Sequence, residues 1–162
     1  MRWGLVDRID ALTLGEDATG VRTFPPDLPL FQDHFPEFPV VPGVLILESL
    51  AQLSGKLIGY TVRLERGDWP WPILSMMEKV KFRRFIRPGQ EVQLESRFIM
   101  LREDSAVMKV RARIDGKVYA QAEQFFVFNA IPLDDPALRA GVEAHEKAEL
   151  MRLWTDCPEN RQ

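Results

Sequence analysis

Cysteine is nearly missing from this sequence: Cys157 is the single one in 162 residues. No disulfide can close within the chain, and the compartment expected is a reducing one, the cytoplasm. Histidine is scarce as well, with only His34 and His145. Two histidines and one cysteine make no zinc-type ligand cluster, so no metal and no other cofactor is expected. There is no glycine-rich phosphate loop and no G-x-S-x-G elbow, which argues against phosphate-loop and α/β-hydrolase chemistry. Positive charge is not in excess: 21 Lys and Arg stand against 24 Asp and Glu, a net charge of −3. Bulk electrostatics therefore give no case for nucleic acid. The opening MRWGLVDRIDAL lacks the apolar core and cleavage site of a signal peptide. The most apolar run, residues 44–60, is interrupted by Glu48, Gln52 and Lys56, so a core helix is expected rather than a membrane span.

What is present suits one packed domain. Hydrophobic residues are 46% and charged residues 28% of the chain, ordinary values for a globular protein. Residues 5–14 and 20–24 read as two strands joined by the turn residues Gly15, Glu16 and Asp17. Residues 65–71 (ERGDWPW) read as a connection whose Trp69 and Trp71 cover the sheet edge or lid a tunnel. A strand is expected at 73–77, and 80–86 reads as a further strand or a bulged extension, stopped by Pro88-Gly89. Residues 91–101 alternate with Val92, Leu94, Ser96, Phe98 and Met100 on one side. Residues 106–114 alternate again, Asp115-Gly116 is a tight-hairpin signal, and 117–128 return. Long strands with short turns predict an antiparallel meander. Residues 134–154 are charged, with Leu138, Val142, Leu150, Leu153 and Trp154 spaced along one helical side. An appended helix is expected there, with His145 solvated and residues 155–162, Cys157 included, as a frayed tail.

The chain is organised around FQDHFPEFPVVPGVLILESLAQLSGKLIGY, residues 31–60. Pro36, Pro39 and Pro42 keep its first half out of helix. After Gly43 the character changes to a helix apolar on nearly every side, which is a buried helix. Glu48 is the anomaly there, because an ionised carboxylate in apolar surroundings is costly unless paired or protonated. Gln52, four residues on, shares its face. Taken singly, Glu48 reads equally as a partly wetted carboxylate favoured by the helix dipole, and His34 as a structural histidine.

The ordered run from His34-Phe35-Pro36 through Pro42-Gly43-Val44-Leu45 to Glu48 and Gln52 closely resembles the signature of 3-hydroxyacyl-(acyl carrier protein) dehydratases. Residues 79–90, KVKFRRFIRPGQ, and the Leu-Val-Asp-Arg-Ile run at 5–9 are also similar to that family. The sequence departs from the family at Asp33, Glu37 and Phe38, and in having Trp3 as the only aromatic upstream of the first strand. The resemblance implies an α+β hotdog fold: a long central helix wrapped by a curved antiparallel sheet, over residues 1–130, with a helical extension over 131–162. It implies dehydration of 3-hydroxyacyl thioesters with His34 and Glu48 catalytic and the Gly43 and Val44 amides receiving the thioester oxygen. Gln52 would support them, and Phe35, Val41 and Phe82 would wall the acyl tunnel. Lys79, Lys81, Arg83, Arg84 and Arg87 would steer an acidic acyl carrier protein. It also implies a homodimer, or a trimer of such dimers, with His34 of one subunit facing Glu48 of the other. A hotdog thioesterase, an enoyl-CoA hydratase and a non-catalytic acyl-binding scaffold are the competing readings.

Overall fold

The computed structural model describes residues 1–128 and 134–161. One helix, α1 (Gly43–Arg66), lies against a six-stranded antiparallel sheet ordered β1-β2-β4-β5-β6-β3. The strands are β1 (Arg8–Thr13), β2 (Asp17–Thr23), β3 (Pro72–Phe82), β4 (Glu91–Leu101), β5 (Ser105–Ile114) and β6 (Lys117–Phe128). A second helix, α2 (Pro136–Leu153), closes the chain's fold and is followed by the short turn Pro158–Arg161. This is the expected hotdog arrangement with its appended helix. The expected boundary at residue 130 lies outside the described residues.

The bounds of α1 follow from its neighbours. Pro42 cannot continue a helix backward, and Gly43 opens the first turn. At the far end Gly67 takes the left-handed conformation, φ 73°, and donates its N–H to the Arg63 carbonyl at 2.7 Å. The helix thus runs past the expected end at Tyr60, because no residue before Gly67 supplies that stop. Leu50, Leu53, Leu57 and Ile58 are fully enclosed, against sheet residues such as Leu94, Met108 and Val110. Each such aliphatic side chain contributes roughly 1.5–3 kcal/mol from burial.

Several expected strands differ in detail. β1 starts at Arg8 rather than residue 5, since the Leu5 N–H is taken by the Gln52 side chain at 2.7 Å. β2 starts earlier than expected, at Asp17. The segments 73–77 and 80–86 form one strand, β3, the second as a bulged extension of the first but ending at Phe82 rather than residue 86; its pairing with β6 shifts between Leu74 and Met76 and between Glu78 and Lys81. Lys79 sits at φ 52° within the second irregularity. In β4 the alternation holds through Ser96, then a bulge between Phe98 and Met100 turns Met100 outward, 41% exposed. β5 keeps its pattern throughout, with Ala106, Met108, Val110, Ala112 and Ile114 all buried. Asp115 and Gly116 both have positive φ, 49° and 75°, as a tight hairpin requires.

The described part of the tail, residues 155–161, is packed rather than frayed. Leu150, Leu153 and Trp154 are buried, and Trp154 meets Tyr60 edge-on at 5.7 Å. Cys157 is fully buried, and the Asn160 amide donates to the Met151 and Trp154 carbonyls at 3.2 and 3.1 Å. Leu138, expected on the packed side, is 55% exposed.

Candidate active site

His34 is set by a closed loop. The single helical turn Pro29–Gln32 ends with the Asp33 and His34 N–H groups donating to the Leu30 carbonyl at 3.2 and 3.1 Å. The His34 carbonyl then accepts from Val40 N–H at 2.9 Å, so the prolines lie on a return path rather than a free loop. Arg87 clamps that path: its Nε donates to the Pro39 carbonyl at 2.8 Å and its guanidinium lies 4.0 Å from the Phe38 ring centre. The His34 ring is half-buried and stacks on Phe35 at 4.2 Å.

The loop leads to the head of α1. The N–H groups of Leu45 and Ile46 bond back to the Pro42 carbonyl, at 3.0 and 3.4 Å. Those of Gly43 and Val44 have no acceptor among the described residues, as the first turn of a helix dictates. Phe82 lies over Gly43: a Cβ there would stand 2.6 Å from its ring. Only glycine leaves room for both the ring and an approach to those amides.

Glu48, half-buried, follows along the same helix. Its Oε1 accepts from Gln52 Nε2 and from Trp3 Nε1, both at 3.0 Å. Gln52 also ties down the segment before β1, donating to the Trp3 carbonyl and accepting from Leu5 N–H, each at 2.7 Å. Glu48, Gln52 and Trp3 line a cavity of about 1420 Å³ between α1 and α2, along with Gly55, Trp71 and Leu153. Trp69 is buried against Gly59, and its backbone N–H donates to Glu143 of α2 at 3.2 Å. Lys56 reaches Glu146 of α2 at 2.6 Å.

Within one chain, therefore, Glu48 and Gln52 come together, but His34 does not line their cavity. Phe35 and Phe82 are half exposed and Val41 is buried, and none of the three lines it either. Of the basic residues, Lys81, Arg83 and Arg84 are exposed, Lys79 pairs with Glu123 at 3.2 Å, and Arg87 is taken up by the loop. His145 is exposed at the rim of the cavity. Sequence reasoning missed Trp3 as a partner of Glu48; its place as the sole upstream aromatic was the available signal. No group of three or more His, Cys, Asp or Glu able to hold a metal occurs among the described residues.

Comparison with known proteins places this arrangement. A family described as ApeI-like dehydratases matches residues 13–123. The 3-hydroxyacyl-[acyl-carrier-protein] dehydratase FabZ of Syntrophotalea carbinolica is 36% identical over 124 residues, which is 76% of this chain and 83% of that one. FabZ of Ruminiclostridium cellulolyticum is 35% identical over 74% of this chain and 82% of its own. Among solved structures, the dehydratase heterocomplex ApeI:P from Xenorhabdus doucetiae aligns with a TM-score of 0.65 at 15% identity, covering 78% of this chain and 83% of that one. A thioesterase from Pseudomonas aeruginosa aligns at 0.58 and 16% identity, covering 75% and 79%, which is a likeness of fold alone. With the matched family spanning most of the sheet and the whole of α1, and curated dehydratases sharing about a third of the aligned residues, the chain belongs to the ApeI-like, FabZ-related dehydratase family.

Proposed function

We propose that this chain dehydrates 3-hydroxyacyl thioesters carried on acyl carrier protein, giving trans-2-enoyl thioesters and water in fatty acid or related acyl-chain synthesis. The observation that carries the reading is the head of α1. The amides of Gly43 and Val44, without an acceptor among the described residues, open a buried helix, and a half-buried carboxylate, Glu48, follows about one turn later. Those amides suit the negative charge that develops on a thioester oxygen when C2 loses its proton. His34 takes that proton on an imidazole nitrogen. Glu48 gives a proton to the C3 hydroxyl, the C–O bond breaks, and water departs as the C2–C3 double bond forms.

Because His34 does not line the cavity of Glu48 in its own chain, the pair is assigned to two subunits of a homodimer. The exposed apolar groups Met76, Met77, Val80 and Phe82 on edge strand β3, with Phe85 beyond it, supply the surface for that contact. Phe35, Val41 and Phe82 are assigned to the acyl path along the seam. Lys79, Lys81, Arg83 and Arg84 face the carrier, with Arg87 holding the His34 loop beside them. A cytoplasmic setting fits a chain with one buried cysteine.

The test is turnover on 3-hydroxyacyl and enoyl thioesters, on carrier protein and on coenzyme A, following enoyl absorbance against release of free thiol. Dehydration without thiol release is expected, fastest on the carrier. His34→Ala and Glu48→Gln should each fold and lose turnover by about 10³-fold or more. Thiol release by the wild type, or full dehydration by both variants, would sink the assignment.

A further inference from the structure

The Glu48 carboxylate is not symmetric in its surroundings. Oε1 receives two N–H groups, Trp3 Nε1 and Gln52 Nε2, each at 3.0 Å. Oε2 has no partner among the described residues. An indole nitrogen can only donate, so Trp3 cannot accept a proton from Glu48. The Gln52 amide is equally fixed. Its oxygen accepts from the Leu5 backbone N–H and its nitrogen donates to the Trp3 carbonyl, both at 2.7 Å, so the opposite orientation would break both bonds. Neither neighbour of Oε1 can therefore turn round to tolerate an O–H there.

We propose that Trp3 is a positioning residue for the dehydration, holding Glu48 Oε1 as a fixed acceptor so that the transferable proton resides on Oε2 and is presented to the substrate hydroxyl. The idea rests on Glu48 being the acid and adds which oxygen acts and what selects it. Trp3 lies outside residues 13–123, the part of the chain that the family model matches. Its side chain is 61% exposed, so the bond to Glu48 rather than enclosure accounts for its placement. Gln52 supplies the anchor that lets an exposed segment deliver an indole N–H across 45 positions of sequence.

The test is a double-mutant cycle on the full-length chain, with kcat, KM and thermal midpoint measured for each member. Trp3→Phe keeps an aromatic ring and removes only the donor. It should lower kcat about tenfold, the loss expected of one hydrogen bond to a carboxyl that becomes charged as its proton leaves, with KM within about twofold and the midpoint unchanged. In the Glu48→Gln background, where no carboxyl proton remains to be placed, Trp3→Phe should leave the residual kcat as it is. A second variant, with benzothienylalanine at position 3, keeps the indole's shape and replaces N–H by sulfur; it should behave as Trp3→Phe does. An equal drop in both backgrounds, or no drop in the wild-type background, overturns the proposal. Wild-type turnover in the Glu48→Gln parent is a separate result, which overturns the acid assignment and this inference with it.

Discussion

A methyl group added at Gly43 and one added at Gly59 both run into an aromatic ring, with opposite expected consequences. At Gly43 the ring is Phe82, 2.6 Å from the new Cβ, but Phe82 is 53% exposed and can swing aside. Gly43→Ala should therefore keep its stability within about 1 kcal/mol, the strain offset by better helix propensity. Its methyl would stand over the Gly43 and Val44 amides, so kcat/KM should fall about tenfold or more, read from steady-state dehydration. At Gly59 the ring is Trp69, 2.8 Å away and 6% exposed, pinned through its backbone to Glu143. That ring has nowhere to go. Gly59→Ala should cost about 1–3 kcal/mol in urea unfolding while leaving kcat near wild type at low temperature. A stable Gly59→Ala would mean that the connection bearing Trp69 yields more readily than its burial indicates.

At the scale of elements, the contact between α1 and the turn after α2 carries a titration. Burial pushes the Tyr60 hydroxyl up to about 12, and the Cys157 thiol beside it adds to the shift. The folded chain keeps that proton at pH values where an unfolded tyrosine, near ~10, has lost it. Stability from this group is thus complete below pH ~10 and drains away as pH rises from about 10 to about 12. The urea midpoint should fall across that window, and Tyr60→Phe should make the fall shallower by up to roughly 2–3 kcal/mol. Parallel curves for the two proteins would assign the alkaline transition elsewhere. The same region shows what could be read in advance. The start of α1 was legible because Pro42-Gly43 is a local stop and start, and the β5–β6 hairpin because Asp115-Gly116 suits positive φ. The irregularity in β3 was legible in place, since the reading breaks at residues 78–79, but not in form, because Lys79 takes φ 52° without being glycine. The packed tail was hidden by its polar letters, since Cys157 is enclosed by contacts made through Tyr60, far away in sequence. Trp3 was visible as an oddity, but its hydrogen bond to Glu48 depends on Gln52 anchoring a distant segment.

For the whole molecule, the open question of assembly becomes an experiment on the site. β3 lies at one end of the strand order and leaves Met76 and Val80 exposed by 46% and 38%. A long edge strand carrying apolar side chains is unstable in isolation toward pairing with another chain. Pairing with a second copy of itself gives a closed twofold assembly. Sedimentation should show a dimer, and Met76→Lys combined with Val80→Lys should give a folded monomer without turnover. The sharper measurement mixes two dead proteins. If His34 of one subunit works with Glu48 of the other, a dimer of one His34→Ala chain and one Glu48→Gln chain has one site with both defects and one site with none. Random exchange makes half of all dimers mixed, so activity should rise from near zero to about a quarter of wild type per site. If His34 and Glu48 instead served the same site within one chain, every site in the mixture would lack one of them and nothing would be restored.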